Sequence, residues 1–158
     1  MENLIANLGV TGWIHFIAAL LSLITGTAII LMTKGTPLHK RVGYVYVASM
    51  IVVIVTSFMI YRLFGGFGIF HAFALLSTFA LVGGMAPMLK KNRGSKELQQ
   101  HSEVMGWSVV GLYCAFISET CSRLRFENAM IVLGIGCFLT CGIGSYLIKK
   151  TKRQYFPE

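Results

Sequence analysis

The sequence predicts an all-α membrane protein of five transmembrane helices. Three observations carry this: 55% of its 158 residues are hydrophobic, only 13% are charged, and the apolar residues gather into five long runs. A water-soluble globule of this size needs more polar surface than that. Each run is near the roughly 20 residues that a helix needs to cross the hydrocarbon core. The runs are continuous and do not alternate as barrel strands do. Hydrocarbon offers no partner to a bare backbone, so the spans are helices. One transmembrane domain, residues 1–158, is expected, and the longest connection, 90–100, is only a polar loop.

Helix 1 is expected over about 11–33. It opens with Gly12-Trp-Ile-His15 and leaves the membrane at Thr33-Lys34-Gly35. It is long enough to span and follows Glu2 with no early Lys or Arg, so it reads as a retained helix and not as a cleaved signal peptide. Thr36 can cap helix 2, about 38–62, with Pro37 in the first turn, where its missing N–H does no harm. His39 then lies in that turn. Helix 3, about 68–89, opens with Gly68-Ile-Phe-His71, a near repeat of the start of helix 1. Helix 4 is read over about 98–122, with Ser95 as a cap and His101 roughly two turns in; helix 5 covers about 129–149.

Eleven of the 14 basic residues (Lys34, Lys40, Arg41, Lys90, Lys91, Arg93, Lys96, Lys149, Lys150, Lys152 and Arg153) fall on one side of this layout, and Arg62, Arg123 and Arg125 on the other. The excess places the first group in the cytoplasm, the N-terminus outside and the C-terminus inside, in a bacterial cytoplasmic membrane. The net charge of +8 then reflects topology and contact with anionic lipid, not nucleic-acid binding.

Aligning His15 with His71 also aligns Gly12 with Gly68 and Ser22 with Thr78. The chain thus reads as a two-helix unit used twice, a four-helix core of tandem repeats, with helix 5 peripheral. Repeats of the same orientation are related by an axis along the membrane normal. Such an axis would set His15 opposite His71 near the outer face and His39 opposite His101 near the inner face. The two levels would be on the order of 20 to 30 Å apart at about 1.5 Å of rise per residue.

These four are the only histidines. Zinc normally wants three or four protein ligands, whereas a haem iron already holds four porphyrin nitrogens and needs two. Two bis-histidine b haems, one per face, fit that supply, and the chain would carry electrons across the bilayer. With no soluble cofactor domain, the donor would be a quinol or a partner protein. A second copy of the chain is a further candidate partner. Lys40 and Arg41 inside, with Arg62 and Arg123 outside, are candidates for haem propionates, or simply anchor helix ends. Glu119, an acid within a span, is a candidate to hold an imidazole by its N–H or to pass protons; it can equally pair with Arg123 one turn on. The alternative is a non-redox protein, either with a divalent-metal site of His39, His101 and Glu103 or as an accessory subunit with interfacial histidines. Cys114, Cys121, Cys137 and Cys141 read as small apolar packing residues, because no Cys-x-x-Cys-His or redox dithiol spacing is present.

The histidine placement in alternate helices resembles that of the di-haem transmembrane cytochromes b reducible by ascorbate, which implies one haem per leaflet in a four-helix core. The local motifs, Gly12-x-x-His15 and His39-Lys-Arg-Val-Gly43 with a histidine heading helix 4, resemble the predicted bacterial membrane-protein family known as domain of unknown function 2306, over nearly the whole chain through helix 4. Where that family often has His-Arg-x-Trp-Met, this chain has His101-Ser-Glu-Val-Met105. The second resemblance implies a multi-pass membrane protein and no settled activity.

Overall fold

A computed structural model describes residues 9–60, 68–124 and 128–157. The described residues form five helices: α1 (Val10–Leu31), α2 (Pro37–Met59), α3 (Ile69–Leu89), α4 (Ser95–Leu124) and α5 (Ala129–Tyr155). All five are long and apolar enough to cross a membrane. Their ends follow the chain's own punctuation. Thr36 accepts the His39 backbone N–H at 3.1 Å with Pro37 in the first turn, the expected cap. At the end of α1, the Lys34 ammonium folds back onto the carbonyls of Ile29 and Ile30, which the helix leaves without amide partners. Partial burial there lowers the Lys34 pKa from its ordinary 10.5. Gly35 follows at φ +78°, the left-handed conformation that turns the chain towards α2.

Several boundaries differ from expectation: α1 ends at Leu31 against about 33 and α2 at Met59 against about 62, and two more have a local cause. The cap of α4 is one residue earlier than Ser95: Gly94 donates its N–H to Glu97 Oε2 at 3.1 Å, and Ser95 is already helical. The last helix runs on to Tyr155, because its basic end continues the helix beyond the apolar stretch and favours the negative end of the dipole.

The chain divides into two compact units, Met1–Leu75 and Leu76–Glu158. In the first, α1 and α2 pack antiparallel. Small and polar residues on α1 (Ala18, Ser22, Thr25, Gly26) form one stripe at helical spacing. Tyr46, Met50, Val53 and Ile54 of α2 are buried in the same unit, and Tyr46 and Met50 are each only 1% exposed. Ser22 donates to Ser49 Oγ at 2.7 Å and Ser49 donates to the Tyr46 carbonyl at 3.0 Å, so the polar atoms of this seam are satisfied within it. Such a bond between membrane helices is worth on average about 0.6 kcal/mol.

In the second unit α4 and α5 are antiparallel, and each contact along α4 meets a residue progressively earlier on α5. Glu103 meets Lys152 at 3.1 Å, Gly106 faces Ile148, Val110 faces Gly144, and Ile117 faces Gly136. A Cβ on Gly106 would come 2.8 Å from Ile148 Cγ1, and one on Gly144 would overlap Val110 Cγ2. Glycine thus sets how closely these helices approach. Met130, Ile135, Phe138 and Ile143 of α5 are exposed. That is the surface expected of a peripheral helix in lipid.

Candidate functional site

Each of the four histidines is found near a helix end, and hydrogen bonds fix the ring state of three. His15, in the second turn of α1, lies with Nδ1 2.9 Å from Thr56 Oγ1 on α2. The Thr56 hydroxyl hydrogen is already directed at the backbone, to the Val52 carbonyl at 2.6 Å and the Val53 carbonyl at 3.1 Å. With its hydrogen so directed the oxygen accepts, and Nδ1 of His15 is then the protonated nitrogen. His101, in the second turn of α4, lies with Nδ1 2.8 Å from the Gly84 carbonyl on α3. A carbonyl can only accept, so this Nδ1 also carries the hydrogen. In a neutral ring the lone pair then sits on Nε2 in both residues.

His71 is the reverse. Its Nδ1 accepts the backbone N–H of Gly68 at 3.1 Å, one turn back, so a neutral ring carries its hydrogen on Nε2. The ring is buried, 3% exposed, and tilts against Phe58 with centroids 6.1 Å apart. His15 and His71 thus both meet the last turn of α2. They do so through Thr56 and Phe58, which point to nearly opposite sides of that helix at about 100° per residue. His39 sits in the first turn of α2, with Nδ1 shielded from solvent. The residues that the repeat makes equivalent are therefore bonded differently: His15 reaches across to another helix, and His71 holds the start of its own.

Two residues orient the ligand-like rings: Thr56, which sequence reasoning passed over, and Gly84, which it read only as a site of close backbone approach. Thr56 orients His15. Gly84 orients His101, and it does so because it has no side chain: a Cβ there would lie 2.6 Å from Met105 Sδ, one turn on from His101. Pro87, three residues further along α3, lacks the N–H that would bond back to the Gly83 carbonyl, the neighbour of the one that His101 meets. The Gly-Gly-x-x-Pro spacing of Gly83, Gly84 and Pro87 was the available signal.

The other candidates are dispersed. Lys40 and Arg41 are exposed on the first turn of α2. Glu103 accepts from Gln99 Nε2 at 3.0 Å and pairs with Lys152, so its carboxylate links α4 to α5. Glu119 is half-buried on α4. Arg62 and the side chain of Arg123 lie outside the described residues, and so does the Glu119–Arg123 pair. Among the described residues no three His, Cys, Asp or Glu side chains gather into a group that could hold a metal ion. An apolar groove runs along the α1–α2 seam between Ile14, Ala18, Leu21, Val45, Ala48 and Val52. His15 does not line it, so groove and imidazole occupy different faces.

The family model for predicted membrane proteins DUF2306 matches residues 12–148, which takes in all four histidines and most of α5. The chain belongs to the DUF2306 family. Neither the curated proteins nor the solved structures give a significant match. The family description adds the membrane and no chemistry, so the chemistry of this DUF2306 protein is argued from its side chains.

Proposed function

We propose that this DUF2306 protein is a b-type haem protein of the bacterial cytoplasmic membrane, with its N-terminus outside, that passes electrons across the bilayer. The observation that carries the reading is the shared state of His15 and His101. A metal-ligating histidine almost always donates its other ring N–H to a carbonyl, carboxylate or other fixed acceptor, which holds the ring and raises its basicity. Both residues do this, through Thr56 and Gly84. Each thereby presents Nε2 as the ligating atom.

The second axial ligand of each iron is the one that the sequence repeat assigns, giving two haems; for the outer one, His15 and His71 must first leave the opposite sides of α2 on which they lie. His71 fits less readily than His15 and His101. To ligate through Nε2 it must release the Gly68 N–H and move its hydrogen to Nδ1, so the outer haem is expected to be the more weakly held. Bound haem would supply a one-electron couple, and a quinol or a partner protein would feed it. Lys40 and Arg41, exposed at the start of α2, would pair with propionates or lipid phosphates.

A second reading has one observation in its favour. The bonds of His15 and His101 each tie two helices together, α1 to α2 and α3 to α4, so the imidazoles also serve as polar struts in an accessory membrane subunit. The absorption spectrum of protein purified from haem-replete cells separates the two. The haem reading gives a low-spin b-type spectrum that sharpens on reduction. A folded, helical and colourless protein refutes it and leaves the strut reading.

A further inference from the structure

The α4–α5 seam contains a cluster that the spacing in sequence conceals. Cys114 Sγ on α4 lies 4.0 Å from Cys141 Sγ on α5, although the two are 27 residues apart. Cys137 lies one turn before Cys141 on α5. All are free thiols, and the fourth cysteine, Cys121, is buried two turns further along α4. The close approach of the two helices is held on either side by Gly144 against Val110 and Gly136 against Ile117.

We propose that Cys114 and Cys141 form a redox-active dithiol, which a lipid-soluble benzoquinone closes to a disulfide that locks α5 onto α4. A disulfide needs the sulfurs at about 2.05 Å. Closing the gap requires rotation of a Cys side chain about its Cα–Cβ bond to another staggered well. Dithiol and disulfide are both uncharged, so either state is compatible with hydrocarbon, where an ionised product would not be. Cys141 is exposed on a membrane-spanning helix, so an oxidant dissolved in the lipid reaches it. The step balances: two S–H bonds break, one S–S bond forms, and two electrons and two protons leave with the quinone as quinol. The proposal does not depend on haem.

The test uses the full-length protein in lipid vesicles, treated with a fully ring-substituted decyl-benzoquinone, which has no free ring position for a thiol to add to. Remaining thiols are blocked with N-ethylmaleimide and the chain is cleaved at methionine with cyanogen bromide. Met130 lies between the two cysteines, so cleavage separates residues 106–130 from 131–158 unless a disulfide joins them. The expected result on a non-reducing gel is a joined fragment that dithiothreitol splits, present in wild type, Cys121→Ala and Cys137→Ala and absent from Cys114→Ala and Cys141→Ala. Separate fragments in quinone-treated wild type would overturn the proposal. So would a joined fragment in Cys114→Ala or Cys141→Ala, or a disulfide-linked dimer before cleavage.

Discussion

Gly142 and Gly144 lie two residues apart on α5, yet alanine at the two positions should change stability in opposite directions. A Cβ on Gly142 meets nothing within 4 Å, whereas one on Gly144 would overlap Val110 Cγ2. Gly144 is buried, and Val110 is 4% exposed with a β-branched side chain that has one strongly preferred rotamer in a helix. Replacing glycine by alanine inside a helix gains about 0.8 to 1.0 kcal/mol from propensity at either site. Forcing an extra carbon into a packed seam typically costs about 1 to 3 kcal/mol. Gly142→Ala should therefore stabilise the protein by up to about 1 kcal/mol, and Gly144→Ala should destabilise it by up to about 2 kcal/mol. The propensity gain is common to both, so the difference of about 1 to 3 kcal/mol isolates the steric contact. Reversible denaturation in mixed micelles, followed by circular dichroism, measures it. Val110→Ala should rescue Gly144→Ala and do nothing for Gly142→Ala, a coupling that a double-mutant cycle reads directly. Equal stability of the two alanine variants would refute the α4–α5 register.

Two further outcomes are expected. Reporter fusions after Lys34, Gly94 and Tyr155 should report the cytoplasm, and fusions after Gly65 and Arg125 the outside; a C-terminus that reports outside would reverse the side assigned to each histidine. Thr56→Val removes the acceptor of the His15 N–H and should lower stability by about 0.5 to 1.5 kcal/mol, with His15→Ala adding little on top because the two act as one bond; additive losses would show that they do not.

The membrane-spanning helices were legible because a bilayer turns hydropathy into a direct readout of structure. Thr36-Pro37 likewise marks the start of α2 through a mechanism written in adjacent residues. The bonds between helices were not legible. The spans are apolar on nearly every face, so no stripe in the sequence fixes how each is rotated about its axis, and rotation decides who meets whom. That is why Thr56 was not foreseen as the acceptor for His15, nor Gly84 for His101. It is also why Cys114 and Cys141 read as packing residues. The repeat aligned His71 with His15, but chemical equivalence did not follow, because His71 starts closer to the end of its helix and turns back to the Gly68 amide. Glu103 was weighed beside His101 as a metal ligand, while its partners came from Gln99 on its own helix and from Lys152 on α5.

The most direct test of the haem reading is the haem content of wild type against His101→Ala, both purified from haem-replete cells and checked for unchanged helical content. Pyridine haemochrome quantification should give about two haems per chain in wild type and about one fewer in His101→Ala. Folded wild type without haem, or equal haem in both proteins, would contradict the assignment of His101 as an iron ligand.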